Sequence, residues 1–177
     1  MKKIILAVAA VVLLAGPASA ADFGLFGSYW DTQDADQAFG VGGKLNFARF
    51  IELRATYFND VTADTSPESR DFEVRALPLE AGLVFKFAPG ERFTPYVGGG
   101  AGYYLLDTNR GDVDDETGWY AVAGADIKGS SGLGFMAEAI YRSMEATVRD
   151  DDPTDIVDRV NIDLGGFGVN AGLVWSF

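Results

Sequence analysis

Residues 119–142 read WYAVAGADIKGSSGLGFMAEAIYR, and the reading of this stretch decides the fold. Trp119, Ala121, Ala123, Ala125 and Ile127 fall on one set of alternate positions, with Tyr120, Gly124, Asp126 and Lys128 on the other. Gly129 to Gly132 interrupt the run, and the alternation then resumes. Leu133, Phe135, Ala137, Ala139 and Tyr141 now oppose Gly134, Met136, Glu138 and Arg142. A period of two belongs to a β-strand, whose successive side chains point to opposite faces. Two such runs around a Gly-Ser-Ser-Gly turn predict an antiparallel hairpin. One face of that hairpin carries no charge and the other carries acids and bases together.

The same period recurs along the chain. Phe39, Val41, Gly43, Leu45 and Phe47 oppose Gly40, Gly42, Lys44 and Asn46. Ile51, Leu53, Ala55 and Tyr57 oppose Glu52, Arg54 and Thr56, and Leu77 to Phe87 oppose Pro78, Glu80, Gly82 and Lys86. The last run places Val169, Ala171, Leu173, Trp175 and Phe177 together. With weaker runs near 22–31 and 92–106, the pattern predicts eight strands. Short connections at Ala48-Arg49, Ala88 to Glu91 and Gly129 to Gly132 alternate with long polar ones near 31–37, 59–71, 107–116 and 149–158. An even strand number with short turns at one end and long loops at the other predicts an all-β, eight-stranded antiparallel up-and-down transmembrane β-barrel. Phase breaks at Ala76-Leu77 and Gly165 to Gly168, with Pro78 and Pro95 inside strands, predict bulges or register changes there.

The direction of the two faces follows from their chemistry. A soluble barrel turns its apolar face inward, so its interior carries few charges. In this chain the polar face holds Lys44, Glu52, Arg54, Glu73, Arg75, Glu80, Lys86, Asp126, Lys128, Glu138, Arg142 and Asp163, six acids and six bases. The uncharged face must therefore point out, toward hydrocarbon. Charges enclosed in a narrow barrel cannot stand alone, and equal numbers of both signs predict interlocked pairs, for example Glu52, Glu80 and Glu138 with Arg54, Lys86 and Arg142. The structural consequence is a polar plug; the functional alternative is a narrow ion path or a gate whose pairs exchange partners. Gly98, Gly100, Gly102, Gly124 and Gly172 make room beside Tyr96, Tyr104 and Tyr120.

Composition removes most other classes. The 177 residues contain no Cys and no His, which excludes disulfide frameworks, thiolate and imidazole metal sites, and cysteine or Ser-His-Asp catalysis. A net charge of −12 speaks against nucleic acid, whose phosphates need a basic surface. No cofactor and no enzymatic activity are expected. Lys2 and Lys3 precede an apolar run from Ile4 to Ala15, and Ala18-Ser19-Ala20 supplies a small-x-small cleavage pattern. Residues 1–20 thus read as a cleaved signal peptide, leaving 21–177 as one barrel domain.

Taken together, eight strands, four long loops, the exported start and a terminal Trp175-Ser176-Phe177 resemble the small eight-stranded outer-membrane β-barrel family, the outer membrane protein beta-barrel domain of the OmpA-transmembrane and OmpX-like type. Glu80 to Phe87 and Thr94 to Gly102 also look typical of that family. The resemblance implies an integral bacterial outer-membrane protein, a monomer, surrounded by membrane lipid and lipopolysaccharide. It also implies that Trp175 and Phe177 form the signal read by the barrel-assembly machinery.

The acidic excess sits in the long connections. Seventeen acids there face only Arg70, Arg110 and Arg149, a net of −14, while the rest of the chain after residue 20 balances at nine acids and nine bases. One reading is a solvated rim. Another is that Asp112, Asp114, Asp115 and Glu116, with Asp150, Asp151, Asp152 and Asp155, collect Ca²⁺ or Mg²⁺, hard cations that take clustered oxygens. The function expected from these features is a non-enzymatic role in envelope integrity or surface interaction through acidic extracellular loops. The alternative is a narrow pore or channel for ions or small apolar molecules.

Overall fold

The computed structural model describes residues 21–32, 37–47, 50–62, 73–89, 91–108, 116–148, 160–163 and 165–176. The expected signal peptide (residues 1–20), the expected cation-binding residues of both loops apart from Glu116, and Phe177 lie outside these residues. Ten strands are present among them: β1 Asp22–Thr32, β2 Ala38–Phe47, β3 Ile51–Thr62, β4 Glu73–Lys86, β5 Phe93–Thr108, β6 Glu116–Lys128, β7 Leu133–Ser143, β8 Glu145–Val148, β9 Val160–Asp163 and β10 Gly166–Ser176. Eight of them close a barrel in the order β1-β10-β7-β6-β5-β4-β3-β2, every neighbour antiparallel. Its strands run 10–16 residues, enough for a tilted crossing of a bilayer, which takes roughly 9–11. The short β8 and β9 pair with each other, Glu145 opposite Asp163, and prolong the β7–β10 hairpin beyond the barrel.

Alternation in the sequence becomes alternation in space. Leu25, Val41, Leu83, Phe85, Val97, Ile127, Phe135 and Val169 stand exposed on the outer wall, while Lys44, Glu52, Arg54, Glu80, Asp126, Glu138 and Arg142 are buried inside. Aromatic residues gather at two levels of that wall. Phe23 stacks on Trp175 near the end with the short turns; Tyr29 meets Phe39, and Trp119, Tyr141 and Phe167 form a chain near the other end. On β10 the two levels are eight residues apart, Phe167 to Trp175, or about 20 Å along the normal of a barrel tilted by roughly 40°. Such girdles mark the two interfaces of an apolar band.

Several expectations need correction. Arg75 does not face the lumen. The β4–β5 ladder runs unbroken from Val74↔Thr108 to Lys86↔Tyr96, so β4 keeps one phase throughout and Arg75, like Ala81 and Leu83, points outward and is exposed. The irregularity expected at Ala76 to Pro78 is absorbed by the partner strand, where the β3–β4 register shifts between Phe58 and Val61. No bulge forms at Pro95, whose carbonyl accepts from Phe87 N at 2.8 Å just past the end of β4. There its missing N–H costs only a terminal rung. The phase break at Gly165 to Gly168 likewise falls before β10, whose pairing with β1 and β7 is continuous from Gly166. Asp163 lies on β9, outside the barrel, and Glu73 begins β4.

Candidate functional site

The lumen is the place where ionisable side chains converge, and it is built in layers. Six strands bring the central layer together: Lys44 from β2, Glu52 and Arg54 from β3, Glu80 from β4, Tyr96 from β5, Glu138 and Arg142 from β7, and Asn170 from β10. Glu138 is the hub. One of its oxygens accepts from Lys44 Nζ at 3.0 Å and from the Tyr96 hydroxyl at 2.6 Å. The other accepts from Arg54 Nη1 and from Asn170 Nδ2, the latter at 2.9 Å. Arg54 also donates from Nη2 to Glu52 at 2.9 Å, and its Nε lies 3.9 Å from Glu80. Glu80 is held by Arg142 through Nε at 2.8 Å and Nη2 at 3.2 Å. This planar fork orients both partners. The side chains of Lys44, Glu52, Arg54, Glu80, Glu138 and Arg142 are all 0–1 % exposed.

Aromatic rings line the spaces between these groups. Lys44 Nζ stands 4.4 Å from the centre of the Tyr96 ring, and Arg54 lies between Phe26 and Tyr120 at 5.5 and 5.8 Å. Glycines leave room for the tyrosines. A Cβ at Gly124 would come within 2.8 Å of Tyr96, and one at Gly82 within 2.7 Å of the Tyr120 hydroxyl.

Toward the turn end the lumen has a second charged layer, which the sequence predicts except for Asp22. Lys86 pairs with Asp22 and lies 3.6 Å from Asp126, and Lys128 reaches Asp22 at 3.1 Å. Lys86 therefore belongs here and not with Glu52 and Glu80. Asp22 went unnoticed because β1 is a weak run, yet it shares a parity with the inward Gly24, Phe26, Ser28 and Trp30. With Asp22 included, the described lumen holds five acids and five bases. Glu52 Oε2, Asn46 Oδ1 and both Asp126 oxygens have no hydrogen-bond partner among the described residues. Buried acceptors of this kind are ordinarily satisfied by water.

At the loop end the lumen is apolar, which the polar-plug expectation does not include. Trp30, Ala38, Phe58, Ala76, Tyr104, Leu106 and Met144 form a buried cluster. Trp30 and Phe58 meet at 5.1 Å and lie over the Arg142 guanidinium at 5.4 and 5.7 Å. The signal for this lid was the interruption of polar residues on the inner parity by Trp30, Phe58 and Tyr104, all placed near the loops.

Of the remaining sequence candidates, Glu116 and Trp175 are among the described residues. Glu116 is the first residue of β6, opposite Tyr104, and is half-buried. Among the described residues no group of three or more Asp or Glu is arranged to hold a metal ion. Trp175 lies on the outer wall stacked on Phe23.

A family model described as the outer membrane protein beta-barrel domain matches residues 6–177. No curated protein matches the chain in sequence. Among solved structures, the outer membrane protein OprG of Pseudomonas aeruginosa is similar with a TM-score of 0.75 at 16% identity, over 90% of this chain and 96% of that one. E. coli outer membrane protein W aligns with a TM-score of 0.55 at 12% identity, over 92% and 100%. Neisserial surface protein A aligns with a TM-score of 0.55 at 11% identity, over 89% and 96%. At these identities the likeness is one of fold.

Proposed function

Because the chain belongs to the outer membrane protein beta-barrel domain family and is integral to the outer membrane, we propose that it is a sealed, non-enzymatic barrel acting in envelope integrity or surface interaction through its acidic loops. One observation carries the reading. The six charged side chains of the central layer are paired with one another across the lumen and almost wholly buried, and an aromatic lid covers them on the loop side. A lumen so occupied is a scaffold first. What remains for contact with the outside is the loop end, where the sequence concentrates its net negative charge. There the chain would meet lipopolysaccharide and soluble partners, with divalent cations as candidate bridges at Asp112 to Glu116 and Asp150 to Asp155. The transport reading draws support from the unpartnered Glu52, Asn46 and Asp126 oxygens, polar sites that admit water from the turn end.

The test is excision of residues 110–115 or 150–155, outside every barrel strand. Each variant is expected to fold, migrating as a compact species before heating, while cells carrying it lose resistance to bile salts or lose surface binding. Variants that protect and bind as well as the parent chain would contradict the proposal.

A further inference from the structure

Two ion pairs at the turn end cross the mouth of the barrel. Lys86 donates to one carboxylate oxygen of Asp22, and Lys128 donates to the other at 3.1 Å. Asp22 is the first residue of β1, while Lys86 and Lys128 are the last residues of β4 and β6. In the closed order, β4 and β6 each stand three places round the ring from β1, on either side of the opposite strand β5. A short side chain on one wall thus holds two long ones from the far wall, where all three strands end. The interior of an eight-stranded barrel is only as wide as the side chains that fill it, so two lysine stems spanning it divide the opening. Exposure changes at this level. The side chains of Lys86, Asp22 and Lys128 keep 9, 17 and 17 % of their surface exposed, whereas Asp126 beside Lys86 keeps none. Asn46 faces Asp22 across the β1–β2 ladder, and Glu52 faces Asn46 across the next. Both stand second from the turn end of their strands, yet both are buried.

We infer that Asp22, Lys86 and Lys128 form a strap across the turn-end mouth, which bars solutes larger than water from that end of the lumen. The inference rests on the sealed-barrel reading and supplies the closure opposite the aromatic lid. Each half of the strap is a charge-assisted hydrogen bond, which holds its partners more firmly than a neutral one. The backbone of β1 is paired with β2 and β10, not with β4 or β6. The strap is therefore made by side chains alone and can be cut without removing a rung of the sheet.

The experiment uses thiol access in the full barrel, refolded in nanodiscs. The chain contains no Cys, so single introduced thiols report without further change. Asn46→Cys places one on the wall beside the strap, at a side chain whose oxygen makes no hydrogen bond. Ala38→Cys places one in the lid cluster, and Ser131→Cys one on an exposed turn. Neutral methyl methanethiosulfonate is the probe, and modification is timed by mass spectrometry. Asn46→Cys is expected to react far more slowly than Ser131→Cys. Adding Asp22→Ala should speed it about ten-fold, the factor that accompanies loss of one hydrogen bond to a charged group. Lys86→Met, which keeps the stem and cuts the bond, should act in the same direction, and Ala38→Cys should stay slow in both. Asn46→Cys reacting as fast as Ser131→Cys in the parent background overturns the inference. So does a rate that ignores both Asp22→Ala and Lys86→Met, or an equal rise at Ala38→Cys, which would mean general loosening. Fast reaction at Ala38→Cys beside slow reaction at Asn46→Cys in the parent background would uphold the strap and remove the lid, and with it the sealed reading.

Discussion

Glu138 accepts from two cations, a tyrosine and an amide, so its charge is the one that most of the central layer answers to. Glu138→Gln keeps the shape but leaves Lys44 without a carboxylate and Arg54 with a weaker set. Breaking a buried pair on one side costs about 3–5 kcal/mol, because the remaining charge is left uncompensated. Urea unfolding in lipid vesicles should show that loss, and adding Lys44→Met should recover part of it. An unaltered midpoint would mean that the network contributes nothing to holding the barrel. At this scale the sequence was informative about residue type and silent about partner. Equal numbers of acids and bases on one parity implied pairing, but which acid meets which base depends on strand stagger, and stagger is not written in the alternation. Lys86 goes to Asp22 for that reason, 64 positions away in sequence.

At the scale of strands, parity was legible wherever apolar residues alternated without a break, as in β3, β6, β7 and β10. It misled at β4, where Ala76 followed by Leu77 looked like a step in phase. Both are buried in an unshifted strand, and the neighbouring β3 absorbs the irregularity. A single chain cannot reveal which of two paired strands will carry a bulge, since either can accommodate the extra residue. The close packing of β4 against β5 gives a second prediction. A Cβ on Gly100 would collide with the Ala81 carbonyl and lie against the Gly82 backbone across the ladder, whereas one on the outward Gly27 would meet nothing nearer than 4.0 Å. Gly100→Ala should therefore destabilise by about 1–3 kcal/mol, the usual cost of overpacking. Gly27→Ala should stay within roughly 0.5 kcal/mol. Comparable unfolding midpoints for the two would contradict the packing described here.

Viewed whole, the barrel separates its tasks by direction. The outer wall meets hydrocarbon; the inner wall spends its polarity on itself; the loops hold the net charge. The first two follow from periodicity and charge counts, and were readable before any coordinate. The apolar lid was not, because Trp30, Phe58 and Tyr104 come from three strands that only the closed topology brings together. That lid and the layer beneath it make the central claim, a barrel without an open water path. The most direct measurement is single-channel conductance of the refolded chain in a planar lipid bilayer, with folding confirmed in the same sample. No reproducible steps should appear. Regular steps whose size changes with Glu80→Gln or Arg54→Ala would place a conducting path through the network and contradict the account.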